Sequence, residues 1–323
     1  MVHKAFDHNN RRNEYMGDAK VDKAAATTEV SEATEATKVT VLGTGIMGGG
    51  IAKTLAAAGF AVTAWNRTPA HAEPLREYGV KVEPELADAL AEADVILVVV
   101  YDAASVLDVL GRGIGAAPAD AVWVQMATIG VEGAHHVAQL AEQQGAHLVE
   151  TMMMGSKDQA ESGALTLIAG GSQALFGQAG PVMDAISTKL VYCGESVGSG
   201  SVVKLACNLW LACITSAACQ SVELLKGEGV DPQLFLDVIS GMTTDSPYAH
   251  LKGGKAIAGD FSAQFEVNAL LKDLGLVGEV MAGSGFRTDL LERQQALYDQ
   301  VREQGHGHDD VSAVALAFES PRG

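Results

Sequence analysis

From Lys38 onward the apolar positions stop being scattered and fall into groups. "KVTVLG" is a short apolar run closed by glycine, and "GGGIAKTLAAAG" is a small-residue helical pattern that stops at Gly59. "FAVTAWN" repeats the run, and "RTPAHAEPLREYG" predicts a second helix, with Thr68 placed to cap it and Pro69 at its first position. "ADVILVVV", "AVWVQMAT" and "AHLVE" read as strands buried on both faces, separated by Ala-rich helical stretches such as "VEGAHHVAQLAEQQG". Strands alternating with helices predict an α/β fold built on a doubly wound, mostly parallel sheet. "GALTLIAGG" and "KLVYCG" complete that sheet, and from about Gly198 the pattern is helical nearly to the end.

Three regions follow from this texture. Residues 1–37 mix both charges with Ala, Thr and Glu and have no sustained apolar period, so they are expected to form a disordered tail. They have neither the apolar core of a secretory signal nor the acid-free composition of a transit peptide. Residues 38–197 are expected to form the sheet domain, and 198–323 an all-helical domain carrying substrate and subunit contacts. A length of 323 residues suits two domains of ordinary size.

Composition narrows the partners. With 22 basic and 40 acidic side chains the net charge is −18, which repels nucleic acid phosphates and anionic lipid at long range. A polyanionic ligand therefore needs a local basic site. The longest apolar stretch is interrupted by Asn208, Thr215 and Ser216, so a soluble, cytoplasmic protein without membrane or nucleic acid partners is expected. The four cysteines show no CxxC spacing and read as reduced thiols. "GHGHDD" at 305–310 reads as a turn with a helix cap, and the adjacent His135 and His136 point different ways, so no metal site is expected.

Candidate chemistry begins at "GTGIMG". Gly43, Gly45 and Gly48, with Ile46 and Met47 between them, fit GxGxxG between a strand and a helix, where a dinucleotide pyrophosphate meets a helix N-terminus. NAD-type sites commonly end the second strand with an acidic residue for the ribose 2′-hydroxyl; here that strand ends in Asn66, Arg67 and Thr68. A guanidinium and a hydroxyl suit a 2′-phosphate, so NADP(H) is the expected cofactor.

A second candidate lies in "VVKLACNLWLACITSAAC", where Lys204 interrupts an apolar helix. Lys204 and Asn208 stand about 40° apart around a helix and can touch one small molecule. Lys272, in "LLKDLGL", is another lysine inside an apolar helical run. By itself either lysine is equally well read as a stem packed on apolar surface with its head in water.

The ordered set "GTGIMG", "WNRT", "QMATIG", "ETMMMGSKDQAESGALTLIAGG", "GSGSVVKLACN" and "LLKDLGL" resembles the β-hydroxyacid dehydrogenase family, over roughly Lys38 to the 305–314 stretch. The resemblance implies that Lys204 is the catalytic acid/base and Asn208 orients the substrate. It also implies that Thr128 stands beside the nicotinamide, Tyr101 and Asp102 near its ribose, and Lys272 at the cofactor cleft. Hydride would pass between NADPH and a small aldehyde, keto acid or hydroxy acid, in a homodimer or a dimer of dimers.

One segment departs from the family. Where relatives read like "DAPVSGG", this chain has "ETMMMGS", so Met154 replaces the serine that helps hold a substrate carboxylate. Met152, Met154, Gly155 and Ser156 are the expected substrate wall. A methionine there is similar to the related imine reductases, which gives reduction of C=N bonds as the alternative. Those enzymes generally lack the lysine that stands here at 204. A third reading, a non-catalytic NADP-binding scaffold, is disfavoured by the presence of both Lys204 and Asn208.

Overall fold

A computed structural model describes residues 37–319; of the expected tail, all but Thr37 lies outside them. The described residues form one compact unit. Eight strands make a single sheet: β1 (Lys38–Leu42), β2 (Ala61–Trp65), β3 (Lys81–Val82), β4 (Val95–Val98), β5 (Val122–Gln125), β6 (His147–Met154), β7 (Leu165–Gly170) and β8 (Ser187–Tyr192). Their order is β3-β2-β1-β4-β5-β6-β7-β8. Pairing is parallel from β3 through β6, antiparallel between β6 and β7, and parallel again between β7 and β8.

The sheet helices are α1 (Ile46–Ala57), α2 (Leu86–Leu90), α3 (Ala103–Gly113), α4 (Gly130–Gln143), α5 (Lys157–Glu161) and α6 (Gln173–Ile186). The strand period of two sorts them onto two faces. Val95 and Leu97 enter one core with residues of α1, α5 and α6, while Ile96 and Val98 enter the other with α2, α3 and α4. That double burial is why β4 reads as an unbroken apolar run.

After β8 come α7 (Ser199–Gly227), α8 (Gln233–Ile239), α9 (Pro247–Ala258), α10 (Val267–Ser284) and α11 (Asp289–Val301), closed by a 3₁₀ turn at Val311–Phe318. α7 packs against α9, α10, the final turn and the strands β6 and β7. By length and composition α7 is long and apolar enough to cross a membrane, so its polar interruptions do not exclude that by themselves. In the fold those polar residues are buried and partnered. Asn208 donates to Asp273 at 2.6 Å, Thr215 to the Leu211 carbonyl at 2.8 Å and Ser216 to Gln294 at 2.8 Å.

Two local expectations need correction. The segment after β2 is not one helix but two 3₁₀ stretches, Pro69–His71 and Glu73–Tyr78, and Thr68 makes no side-chain cap. Pro74 has no N–H to donate, so it interrupts a continuing ladder. β6 also runs four residues beyond Glu150, because its end pairs with β7 from Glu150↔Gly170 to Met154↔Thr166.

Candidate active site

The connections after β1 and β4 leave in opposite directions, so the carboxyl ends of these neighbouring strands open a crevice. Gly43 leaves β1 with φ 99°, in the left-handed region that favours glycine. A Cβ on Gly48 would stand 2.0 Å from the Gly43 carbonyl oxygen, so α1 approaches the loop at a distance that admits no side chain. A Cβ on Gly45 would meet nothing within 4 Å, and α1 has no side-chain cap there. Open room before the uncapped amides of a 12-residue helix meets the requirements of a pyrophosphate, so these residues fit a dinucleotide.

At the end of β2, Asn66 Oδ1 accepts from the Thr44 N–H at 3.3 Å, and its Nδ2 donates to the Thr68 carbonyl at 2.9 Å. This ties the strand end to the glycine loop. Arg67 is exposed on the cavity wall and makes no hydrogen bond or ion pair among the described residues. Asp102 caps α3 by accepting from the Ser105 N–H at 2.8 Å, and its hydrogen bonds with Ser105 hold its carboxyl below the ordinary range.

Across the crevice, Lys272 on α10 donates to the carbonyls of Thr128 at 2.7 Å and Tyr101 at 3.1 Å. It also lies 5.0 Å from the centre of the Tyr101 ring and 3.1 Å from Asp273 Oδ1. One ammonium thus joins α10 to the loops after β4 and β5.

Lys204, on the second turn of α7, donates to the Met153 carbonyl at 2.7 Å and lies 3.4 Å from Met154 Sδ. An ammonium carries three N–H donors, so one is left for a ligand. Burial pushes the Lys204 pKa down, opposed by the negative charge of Asp273. Asn208 is fully buried one turn on; its Nδ2 is held by Asp273 Oδ2, and its Oδ1 has no hydrogen-bond partner among the described residues. Burial raises the Asp273 pKa, against the pull of Lys272 and Lys204.

A cavity of about 860 Å³ unites these groups. Gly43, Gly45, Ile46, Met47, Gly48, Asn66, Arg67, Thr68, Tyr101, Asp102, Thr128 and Lys272 line it, together with Lys204, Asn208, Met154 and Gly155. Two expected substrate residues do not. Met152 is fully buried, because Glu150, Met152 and Met154 share the α7 face of β6 and only the last emerges from beneath the helix. Ser156 turns away to start α5, where its N–H donates to Gln159 Oε1 at 2.8 Å and its hydroxyl meets the same oxygen.

The structure adds residues that the sequence reading missed. Asp273 adjoins Lys272, but its partner Asn208 lies 65 positions away, and no local spacing reveals the pair. Gln264, Phe265 and Glu266 line the cavity just before α10. Glu150 is fully buried and accepts from the N–H groups of Gly198 at 2.6 Å, Gly200 at 2.7 Å and Ser201 at 3.3 Å, and from the Ser201 hydroxyl at 2.7 Å.

A nucleotide cradle at the sheet's switch point, faced by a desolvated amine, defines a dinucleotide-dependent oxidoreductase as the class. Residues 38–194 match the family described as the NAD binding domain of 6-phosphogluconate dehydrogenase, and 198–318 match the NAD-binding region of NADP-dependent 3-hydroxyisobutyrate dehydrogenase. An uncharacterised oxidoreductase of Synechocystis sp. is 36% identical over 288 residues, 87% of this chain and 98% of that protein. Glyoxylate/succinic semialdehyde reductase 2, chloroplastic, of Arabidopsis thaliana is 28% identical over 284 residues, 87% of this chain and 79% of that protein. A Mycobacterium tuberculosis 3-hydroxyisobutyrate dehydrogenase structure with L-serine is 26% identical and superposes with a TM-score of 0.80 over 88% of this chain and 100% of that one. The chain belongs to the β-hydroxyacid dehydrogenase family and is an NAD(P)-dependent oxidoreductase of that type.

Proposed function

We propose that the protein is an NADP(H)-dependent reductase of small carbonyl compounds, working reversibly on the corresponding alcohols, with Lys204 as general acid and base. The observation that carries this reading is the Lys204 ammonium, desolvated at the cavity wall and fixed by the Met153 carbonyl with a donor to spare. A reduced nicotinamide supplies hydride. Lys204 holds the proton that the new alkoxide takes, and Asn208 Oδ1, with Nδ2 turned to Asp273, accepts from the hydroxyl that results. Thr128, Met154 and Gly155 line the space around them, and Tyr101, its carbonyl held by Lys272, lines the same cavity.

Three further points belong to the proposal. Arg67 and Thr68 receive the 2′-phosphate, since no carboxylate follows β2 to repel it and the guanidinium makes no hydrogen bond or ion pair among the described residues. The protein is cytoplasmic. It works as a homodimer joined through the helical region, where Trp210 and Leu224 of α7 stand 67% and 64% exposed.

The test is NADPH oxidation by purified protein with aldehydes, keto acids and cyclic imines. Turnover of carbonyl compounds is expected; turnover of imines alone would favour C=N reduction, and cofactor binding without turnover on any of them would favour a scaffold. Arg67→Ala is expected to weaken NADPH binding about tenfold or more, in line with loss of a charge-assisted contact worth about 1.5–3 kcal/mol, and to leave NADH binding nearly unchanged. Equal losses in a titration of both cofactors would overturn the 2′-phosphate assignment.

A further inference from the structure

At the substrate end of the cavity most donors are engaged, one N–H of Lys204 excepted, and two buried acceptors are free. Lys204 is held by the Met153 carbonyl and the Met154 sulfur, and Lys272 by two carbonyls and Asp273. The backbone N–H groups of Gln264 and Phe265 turn to Asp310 Oδ2, at 3.1 and 3.3 Å. Ser156 is occupied by Gln159, and Met154 offers no hydroxyl. A substrate carboxylate therefore finds little to hold it.

The acceptors are in the opposite condition. Asn208 is wholly buried, lines the cavity and leaves Oδ1 without a partner. An ionised Asp273 accepts only, so it holds the amide with Nδ2 toward itself and Oδ1 toward the ligand. Gln264 lines the same cavity, and its buried Oε1 is also unpartnered. Glu266 also lines the cavity; its carboxylate is partly exposed, and its Oε2 meets an exposed His308 at 3.2 Å. Glu266, the residue just before α10, lines the cavity with Ala269 and Asp273 of that helix, so it stands about 10 Å along the axis from Asp273.

Buried acceptors without partners are costly unless a ligand supplies N–H or O–H groups. Resting on the oxidoreductase reading, we propose that the substrate is an amino-carbonyl compound and its amino-alcohol product, with a protonated amine at the far end of the chain. Asn208 Oδ1 takes the hydroxyl at the reacting carbon, and Gln264 Oε1 and the Glu266 carboxylate take the ammonium. Phe265 and Tyr101 line the passage between, apolar and aromatic. The net charge of −18 draws such a cation and repels hydroxy acids.

Three matched alcohols test this on the NADP⁺-loaded protein: hexan-1-ol, 6-aminohexan-1-ol and 6-hydroxyhexanoate. Calorimetry is expected to show the amine binding at least tenfold more tightly than the carboxylate. Glu266→Gln is expected to cut the affinity ratio of 6-aminohexan-1-ol to hexan-1-ol at least fivefold. Equal or tighter binding of the carboxylate, or an unchanged ratio in the variant, would overturn the assignment. Parallel oxidation assays separate the two readings: tightest amine binding without turnover of any alcohol counts against the oxidoreductase reading alone, and turnover with the carboxylate preferred counts against this one alone.

Discussion

Lys204→Met is expected to lower turnover by about 10²–10⁴-fold, the usual worth of a positioned proton donor, while the dissociation constant for NADPH stays within a few-fold. Methionine keeps most of the apolar stem and loses the ammonium. Lys204→Arg keeps the charge but cannot release a proton near neutrality, so it is expected to rescue substrate binding and not turnover. The pH profile follows from the direction of the shift. Burial lowers the Lys204 pKa from the ordinary lysine value, so the protonated fraction falls at a lower pH than for a free lysine. Carbonyl reduction needs the proton and is expected to decline as pH rises through that depressed value; alcohol oxidation needs the free amine and is expected to rise over the same interval. Steady-state rates in both directions from pH 6 to 10 check this. A methionine variant retaining most of its turnover, or profiles of the two directions that move together, would remove Lys204 from the proton transfer.

What the sequence displayed and what it hid divide along a physical line. β4 and β5 are visible because burial on both faces leaves an apolar run with nothing polar to break it. The glycine loop is visible because each glycine answers a separate local demand on the backbone. α7, expected from the helical pattern that begins at about Gly198 and found at Ser199–Gly227, carries enough apolar residues to declare itself. The substrate wall was harder to read. "TMMM" shows no alternation between apolar and polar, so its strand character comes only from pairing with β7, and the pleat then decides which methionine meets the cavity. Asp310 was readable as a helix cap and does accept from the Ser312 N–H at 3.1 Å. That it also binds the buried Lys252 ammonium at 2.8 Å, 58 positions away, had no local sign. Asp273 and Glu150 were hidden for the same reason: a carboxylate whose partners come from a distant helix looks like any other acidic residue.

Glu150→Ala is expected to be the most destabilising single change outside the glycine loop. Its carboxylate is wholly buried and takes four hydrogen bonds from the start of α7, where the helix presents amides that no intrahelical carbonyl can reach. It also places a negative charge at the positive end of that helix. Truncation leaves those buried donors unpaired, and breaking such an arrangement costs about 3–5 kcal/mol, which for a chain of this size lowers the melting temperature by roughly 4–7 °C. Glu150→Gln keeps the volume and can leave its oxygen on the three backbone N–H groups with its N–H₂ turned to the Ser201 hydroxyl, but it loses the negative charge at the helix start, so it is expected to recover only part of the loss. The consequence for chemistry comes through position. Glu150 anchors the strand that carries the Met153 carbonyl to the helix that carries Lys204, two groups now 2.7 Å apart. Loosening that joint is expected to lower kcat more than it raises KM, measured below the variant's melting range, and to blunt the pH dependence that Lys204 imposes on it. Thermal melts by circular dichroism within 2 °C of the native chain, together with an unaltered pH profile, would show that α7 finds its place on the sheet without this carboxylate.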